Sequence, residues 1–491
     1  MRQAGILMAI SSLPGRHGIG DFGSSAYEFV DHLATTKSRI WQILPFNRLG
    51  YANSPYQAYS SIAGDEIFIS LDELAKEGLL NTADLSDFNA EAIRVDYDAV
   101  RAFKDTHLQQ AFNQFKQNRA NWQADYQHFL ETNSWVNNYS VFVALKKANK
   151  LICWLEWPEE HKLWIKNKQL DLSPYADEIA YQTFLQFIFY RQWQALKEYA
   201  NQLNIEIMGD IPYYVGIDSI DVWSNQEQFL LDDRGYPTYV AGVPPDYFAV
   251  TGQRWGNPIY NWDLMVQDNF TFWVNRLQVN SRVFDIIRID HFRAFDTYWK
   301  IPSSCPTAME GEWIEAPGYA FFDRLFKVMP NIRVVAEDLG EMRPQVGELR
   351  DHYKFTGMKI LQFTFDPREE NNDFVDRENM IIYSGTHDNQ TVMGWYLAQD
   401  ADTQVAMMSY LTDKGYKGSP VEVLVTFSMD SIAYLAIVPV QDMLGLDDHA
   451  RMNEPGTVGS PNWEWKLVDF KAFKEVLPHF RHLIEASGRA G

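Results

Sequence analysis

Four acidic residues stand where a short apolar run gives way to polar sequence. Ile286-Ile287-Arg288-Ile289-Asp290-His291 ends one run and Val334-Val335-Ala336-Glu337-Asp338 another. Ile381-Ile382-Tyr383 leads through Ser384-Gly385-Thr386 into His387-Asp388-Asn389, and Ile207-Met208-Gly209-Asp210 repeats the pattern. If the runs are strands, Arg288 and Asp290 lie two apart and share a face. Glycosidic bond cleavage requires this equipment. One carboxylic acid protonates the leaving oxygen, and in a retaining enzyme a carboxylate about 5–5.5 Å away attacks the anomeric carbon. Neighbouring strands are about 4.8 Å apart, which suits Asp290 and Glu337 to that pairing. Arg288 is expected to hold Asp290 ionised, and a drier setting to keep Glu337 protonated. His387 and Asp388 would bind sugar hydroxyls. Each acid also has a plainer reading as a loop cap or ion pair, and Asp210 reads as a supporting residue. A metal-dependent hydrolase uses the same residue types, but no His-x-His, His-x-x-x-His or acid-rich ligand loop lies near these positions. The residues alone lead to a barrel enzyme that works with carboxylates.

Apolar runs at 6–10, 40–44, 205–208, 286–289, 334–336, 360–365, 381–383 and 435–438 have the length of buried parallel strands. Amphipathic helical patterns precede several of them. Phe270, Trp273, Val274 and Leu277 fall on one face before the run at 286, and Phe321, Phe322, Leu325 and Phe326 before the run at 334. Helix then strand, repeated to eight strands, predicts an α/β fold: a (β/α)₈ TIM barrel spanning 1–491, with acids at the C-terminal strand ends. Residues 66–200 read as a mostly helical insertion that ends in a long amphipathic helix. Residues 211–265 are rich in Tyr, Pro, Gly and Asp and read as a loop-rich insertion over the barrel mouth. No separate C-terminal β-domain is expected.

The 491 residues carry a formal net charge of -22, a surface that repels phosphate backbones and anionic lipid heads. Nucleic acid and membrane partners are therefore not expected, while a neutral sugar is not repelled. Aromatic residues make up 15% of the chain, enough for a large core and for a cleft in which pyranose faces pack on rings. Two cysteines are too few for a disulfide scaffold or a thiolate metal site. The apolar stretch at 4–10 is too short to span a membrane and lacks a basic leader, so a cytoplasmic location is expected.

At these residues the chain resembles the 4-α-glucanotransferases, or amylomaltases, of glycoside hydrolase family 77. The resemblance runs from Ser11-Ser12-Leu13-Pro14-Gly15 and Asn53-Ser54-Pro55-Tyr56-Gln57 through Pro244-Pro245-Asp246-Tyr247-Phe248 and Gly252-Gln253-Arg254-Trp255-Gly256-Asn257-Pro258. It continues through Arg288-Ile289-Asp290-His291, Ala336-Glu337-Asp338 and Thr386-His387-Asp388-Asn389 to a C-terminal signature over 450–463. Arg-Ile-Asp-His and Thr-His-Asp-Asn are shared with amylase-type barrels; Pro-Pro-Asp-Tyr-Phe and Asn-Ser-Pro-Tyr-Gln are far more specific. The resemblance implies Asp290 as nucleophile, Glu337 as general acid/base and Asp388 as transition-state stabiliser. It implies that Arg288 orients Asp290 and that His387 contacts the donor glucose. It places Ser54, Tyr56, Asp246 and Tyr247 on the acceptor side, with Trp255 and Asn257 in the substrate cleft and 241–253 as a lid. It implies α-1,4-glucan donors and acceptors, and no metal or organic cofactor. Ala294 stands where the family pattern has glycine.

Transfer and hydrolysis share a covalent intermediate, which either a sugar hydroxyl or water, at about 55 M, then attacks. A lid with an aromatic acceptor groove favours the sugar, and Tyr247, Phe248 and Trp255 are the candidates. The alternatives are an amylase-type hydrolase and a glucan-binding protein without activity; the paired acids speak against the second.

Overall fold

The computed structural model describes residues 2–245, 249–340, 342–368 and 375–490. Among them stand twelve strands. They are β1 (Gln3–Leu7), β2 (Ile40–Gln42), β3 (Glu206–Ile211), β4 (Tyr239–Val243), β5 (Gln253–Pro258) and β6 (Ile286–Ile289). β7 (Thr297–Pro302), β8 (Glu312–Glu315), β9 (Val334–Ala336), β10 (Gly357–Ile360), β11 (Met380–Tyr383) and β12 (Leu435–Pro439) complete the set. Eight strands run parallel in the order β10-β11-β12-β1-β2-β3-β6-β9. A parallel bridge between Val335 and Thr356 joins β9 to the approach of β10, and the Ala336 amide donates to the Thr356 carbonyl at 2.8 Å. The sheet so closes into a (β/α)₈ barrel.

The strands form from short apolar runs because both of their faces are covered. Every residue of β2, β6, β9, β11 and β12 is buried. The helix Thr271–Val283 presents Trp273, Val274 and Leu277 to the core, and Gly318–Val328 presents Phe321, Phe322 and Leu325. Two runs are displaced from their expected positions. The first strand is Gln3–Leu7, and the chain then makes a 3₁₀ turn at Ile10–Ser12 instead of extending. The run at 360–365 begins as β10 ends: Leu361–Thr364 is a short helix, and its Phe363 points to solvent. The apolar sequence there crosses a strand end, so hydrophobicity alone misplaces the boundary.

Between β2 and β3 lie the helices Leu71–Lys76, Tyr97–Gln117, Gln123–Thr132, Trp135–Ala148, Glu159–Asn167 and Ala176–Gln202. Asp96 starts the second of these by accepting a hydrogen bond from the Ala99 amide. Val100, Lys104, Leu108, Ala111 and Phe115 then fall on its buried face. Lys104 is tolerated there because its ammonium meets Asp21 at 2.8 Å and the carbonyls of Ile67 and Ile69 at 2.8 and 2.9 Å.

The stretch 211–265, expected to be loop-dominated, carries β4 and β5. With β7 and β8 they form an antiparallel sheet in the order β5-β4-β7-β8. β5 reads Gln-Arg-Trp-Gly-Asn-Pro and is half exposed, an edge strand with no apolar alternation to announce it. No helix among the described residues is long and apolar enough to cross a membrane.

Candidate active site

β6 and β9 are paired with Ile289 opposite Ala336, so the next residues, Asp290 and Glu337, leave adjacent strand ends together. The ladder continues past them: the Asp290 amide donates to the Ile211 carbonyl at 3.0 Å and the Glu337 amide to the Ile289 carbonyl at 3.1 Å. His291 then turns into the left-handed region at φ 53°, which costs a non-glycine residue about 1–2 kcal/mol. That turn aims its amide at Glu337 Oε2, 2.7 Å away, while the Leu339 amide donates to Oε1 at 3.0 Å. Glu337 is thus held by the backbone beside Asp290.

Arg288 is buried, and its Nη1 reaches Asp210 Oδ1 and Oδ2 at 2.7 and 2.6 Å and Asp290 Oδ1 at 3.1 Å. The register of β3 and β6 sets Asp210 opposite Arg288, so the first partner of the guanidinium is Asp210. Arg288, expected to orient Asp290, is thus shared between the two carboxyls. Burial pushes the Asp290 carboxyl well above the usual carboxylate range, against the opposing pull of Arg288. Burial also pushes Glu337 up, opposed by Arg288 and by the amides of Leu339 and His291. Two raised carboxyls on adjacent strand ends each favour the protonated form more than a free acid does.

A second chain of contacts leads away from Asp210. Tyr56 Oη donates to Asp210 Oδ2 at 2.7 Å and lies 2.8 Å from His387 Nε2. The phenol has one proton, given to Asp210, so its oxygen accepts from His387 and Nε2 carries hydrogen. Asp388 Oδ2, 3.4 Å from the same nitrogen, agrees with that tautomer. Burial lowers the His387 pKa, keeping the ring neutral, and burial takes His291 down to about 3. Asp388 Oδ1 accepts from Asn453 Nδ2 at 2.7 Å, and its carbonyl accepts from Arg451 Nη2 at 2.9 Å.

Asp290, His291 and Asp388 open on a cleft of about 1180 Å³. Ser54, Tyr56, Trp255 and Asn257 line it too, while Arg288, His387 and Glu337 lie outside its wall. Ser54 Oγ accepts from the Tyr56 amide at 3.3 Å and so shapes the turn that delivers Tyr56. Trp255 meets the His291 ring edge-on at 4.9 Å. Asn257 is buried and donates to the Val215 carbonyl at 3.0 Å, which ties β5 to the segment after β3. Asp246, Tyr247 and Phe248 lie outside the described residues. Ala294 is fully buried, and its carbonyl accepts from Tyr213 Oη at 2.9 Å. The sequence reading gave no part in the site to Asn453 or Arg451. Their signals were the turn-forming Arg451-Met452-Asn453-Glu454-Pro455-Gly456 and their place in the C-terminal signature over 450–463. Among the described residues no group of three or more His, Cys, Asp or Glu side chains is placed to hold a metal ion.

The family model for 4-alpha-glucanotransferase, glycoside hydrolase family 77, matches residues 8–471. The 4-alpha-glucanotransferase of Streptococcus pneumoniae is 43% identical over 476 residues, covering 95% of this chain and 94% of that protein. The enzyme of the same description from Thermus thermophilus is 41% identical over 503 residues and covers 99% of each. Among solved structures, the amylomaltase from Streptococcus agalactiae in complex with acarbose superposes with a TM-score of 0.94 at 34% identity, covering 100% of both chains. With the closed barrel and the acids at its strand ends, these likenesses establish that the chain belongs to the 4-alpha-glucanotransferases of glycoside hydrolase family 77.

Proposed function

We propose that Asp290 and Glu337 divide the chemistry of the chain's 4-alpha-glucanotransferase activity, moving α-1,4-glucan segments from one maltooligosaccharide to another. The observation that carries this reading is the β6–β9 register, which sends the two carboxyls out from adjacent strand ends, Asp290 lining the cleft and Glu337 just outside its wall. Arg288 hydrogen-bonds Asp290 and not Glu337, which favours the negative charge on Asp290 and assigns the proton to Glu337. Asp290 attacks the anomeric carbon as Glu337 protonates the departing glycosidic oxygen, giving a glycosyl ester and a shortened glucan. Glu337, now ionised, takes the proton of an acceptor hydroxyl. That oxygen attacks the anomeric carbon and releases Asp290.

Asp388 supports the flattened ring through its sugar hydroxyls, and His387, held as the Nε2–H tautomer, works beside it. Ser54, Tyr56, Trp255 and Asn257 form the walls against which donor and acceptor lie. The described residues of 241–253, at the end of β4 and the start of β5, are the segment we assign to the acceptor side. The free thiols Cys153 and Cys305 suit a reducing compartment, and the cytoplasm is the location we assign.

Incubation with pure maltotriose tests the reading. A ladder of longer and shorter oligosaccharides at constant total reducing ends supports it, and Glu337→Gln is expected to abolish the ladder while glucan still binds. Rising reducing ends with only shorter products would mean hydrolysis.

A further inference from the structure

His387 and Asp388 stand on the loop between β11 and the helix Val392–Ala398. A loop can position a catalytic group to within a fraction of an ångström only if both of its ends are fixed. Here one side chain fixes both. Asp442, in the short helix Val440–Met443 that follows β12, accepts from Ser384 Oγ at 2.6 Å through Oδ2 and from the Val392 amide at 2.8 Å through Oδ1. Ser384 is the first residue after β11, and Val392 opens the helix that ends the loop. Asp442 is 2% exposed. No Lys, Arg or His side chain among the described residues forms an ion pair with it. A buried carboxylate held by two neutral donors costs folding energy that an apolar residue of the same size would spare.

Other contacts make the loop stiff between those ends. Thr386 donates to Asn389 Oδ1 through its amide at 2.9 Å and its hydroxyl at 2.7 Å, and Gln362 Nε2 donates to the Gln390 carbonyl at 2.8 Å. Asp442 and His387 both line one small cavity of about 20 Å³, together with Thr386, Asn389, Gln390 and Thr391 of the loop. A displacement of the Ser384 or Val392 end therefore reaches Asp388 without being absorbed on the way.

We infer that Asp442 is a positioning residue for glucan transfer: by clasping Ser384 and Val392 it sets the place of Asp388 against the reacting sugar. This rests on the proposed role of Asp388. The clasp acts on a group that matters most in the transition state, so its loss should lower kcat and leave KM nearly alone.

The test is a double-mutant cycle on the full chain, with kcat and KM for maltotriose disproportionation as readouts. Asp442→Asn removes one of the two acceptors and is expected to lower kcat by about 100-fold, the scale of a misplaced catalytic group, with KM changed less than about threefold. In an Asp388→Asn background the same substitution should cost less than about threefold more, because the group it positions has already been disabled. Ser384→Ala cuts one of the two contacts, leaves the other, and should show the same pattern at smaller size. It carries the test alone if Asp442→Asn does not fold. Wild-type kcat in the variant, a loss shared equally by kcat and 1/KM, or equal losses with and without Asp388 would each overturn the inference. Full activity of Asp388→Asn by itself would instead overturn the reading of the site on which the inference rests.

Discussion

The Arg288 guanidinium holds Asp210 more closely than it holds Asp290: one nitrogen lies 2.7 and 2.6 Å from the two Asp210 oxygens and 3.1 Å from Asp290. Asp290 therefore shares its counter-ion with a carboxylate that never meets the cleft. Neutralising Asp210 with Asp210→Asn removes a negative charge that pushes the Asp290 carboxyl up and leaves Arg288 to it alone. The Asp290 pKa should fall, and the acid limb of kcat/KM should move to lower pH. Stability should drop by about 3 kcal/mol, because a buried pair has been broken on one side. Urea titration and a pH series check both parts. An unmoved acid limb would show that Asp210 has no hold on Asp290.

The pH profile as a whole follows from the same carboxyls. On the proposed division of roles, transfer requires Asp290 ionised and Glu337 protonated. It is lost at low pH as Asp290 gains its proton and at high pH as Glu337 gives its proton up. Burial raises both, so the bell should sit above the range of free carboxylates. His291, taken down to about 3 by burial, stays neutral across it and adds no limb. From a glycosyl fluoride donor, fluoride departs without the help of a general acid. With that donor the alkaline limb of kcat/KM should flatten, while maltotriose keeps the limb. An identical alkaline limb for both donors would remove Glu337 from the role of acid.

The parts of this arrangement that the sequence displays are those set by near neighbours. β6 and β9 occupy the bounds that their apolar runs suggest, and Asp290 and Glu337 follow them directly, because strand and acid are contiguous in the chain. β10 was displaced because Leu361–Thr364 continues the apolar run as a helix. The antiparallel sheet was hidden because β5 is polar and borders solvent, and a strand with one partner needs little apolar sequence. The partners of Arg288 and Asp388 are harder still. Asp210 is 78 residues from Arg288, and Asn453 is 65 from Asp388. Only the strand order, which sets β3 beside β6 and β12 beside β11, makes them neighbours.

Gly209 shows how the core and the site are joined. It precedes Asp210 on β3, and a methyl group added there would lie 2.3 Å from the Phe284 ring, well inside contact distance. The ring has no easy retreat: it is buried and packed against Phe46 at 5.3 Å and Trp193 at 6.3 Å. Gly209→Ala must therefore move β3 or the ring, at a cost of about 1–3 kcal/mol. Because Asp210 is the next residue, movement of β3 also disturbs Arg288 and lowers kcat. Adding Phe284→Leu removes the ring that the methyl meets. In the Gly209→Ala background that second change should cost less stability than it does in the parent chain, and it should return part of the lost kcat. Denaturant midpoints and maltotriose turnover of the four proteins in this cycle decide the matter. Strictly additive losses would mean that the Gly209–Phe284 contact does not set the position of Asp210.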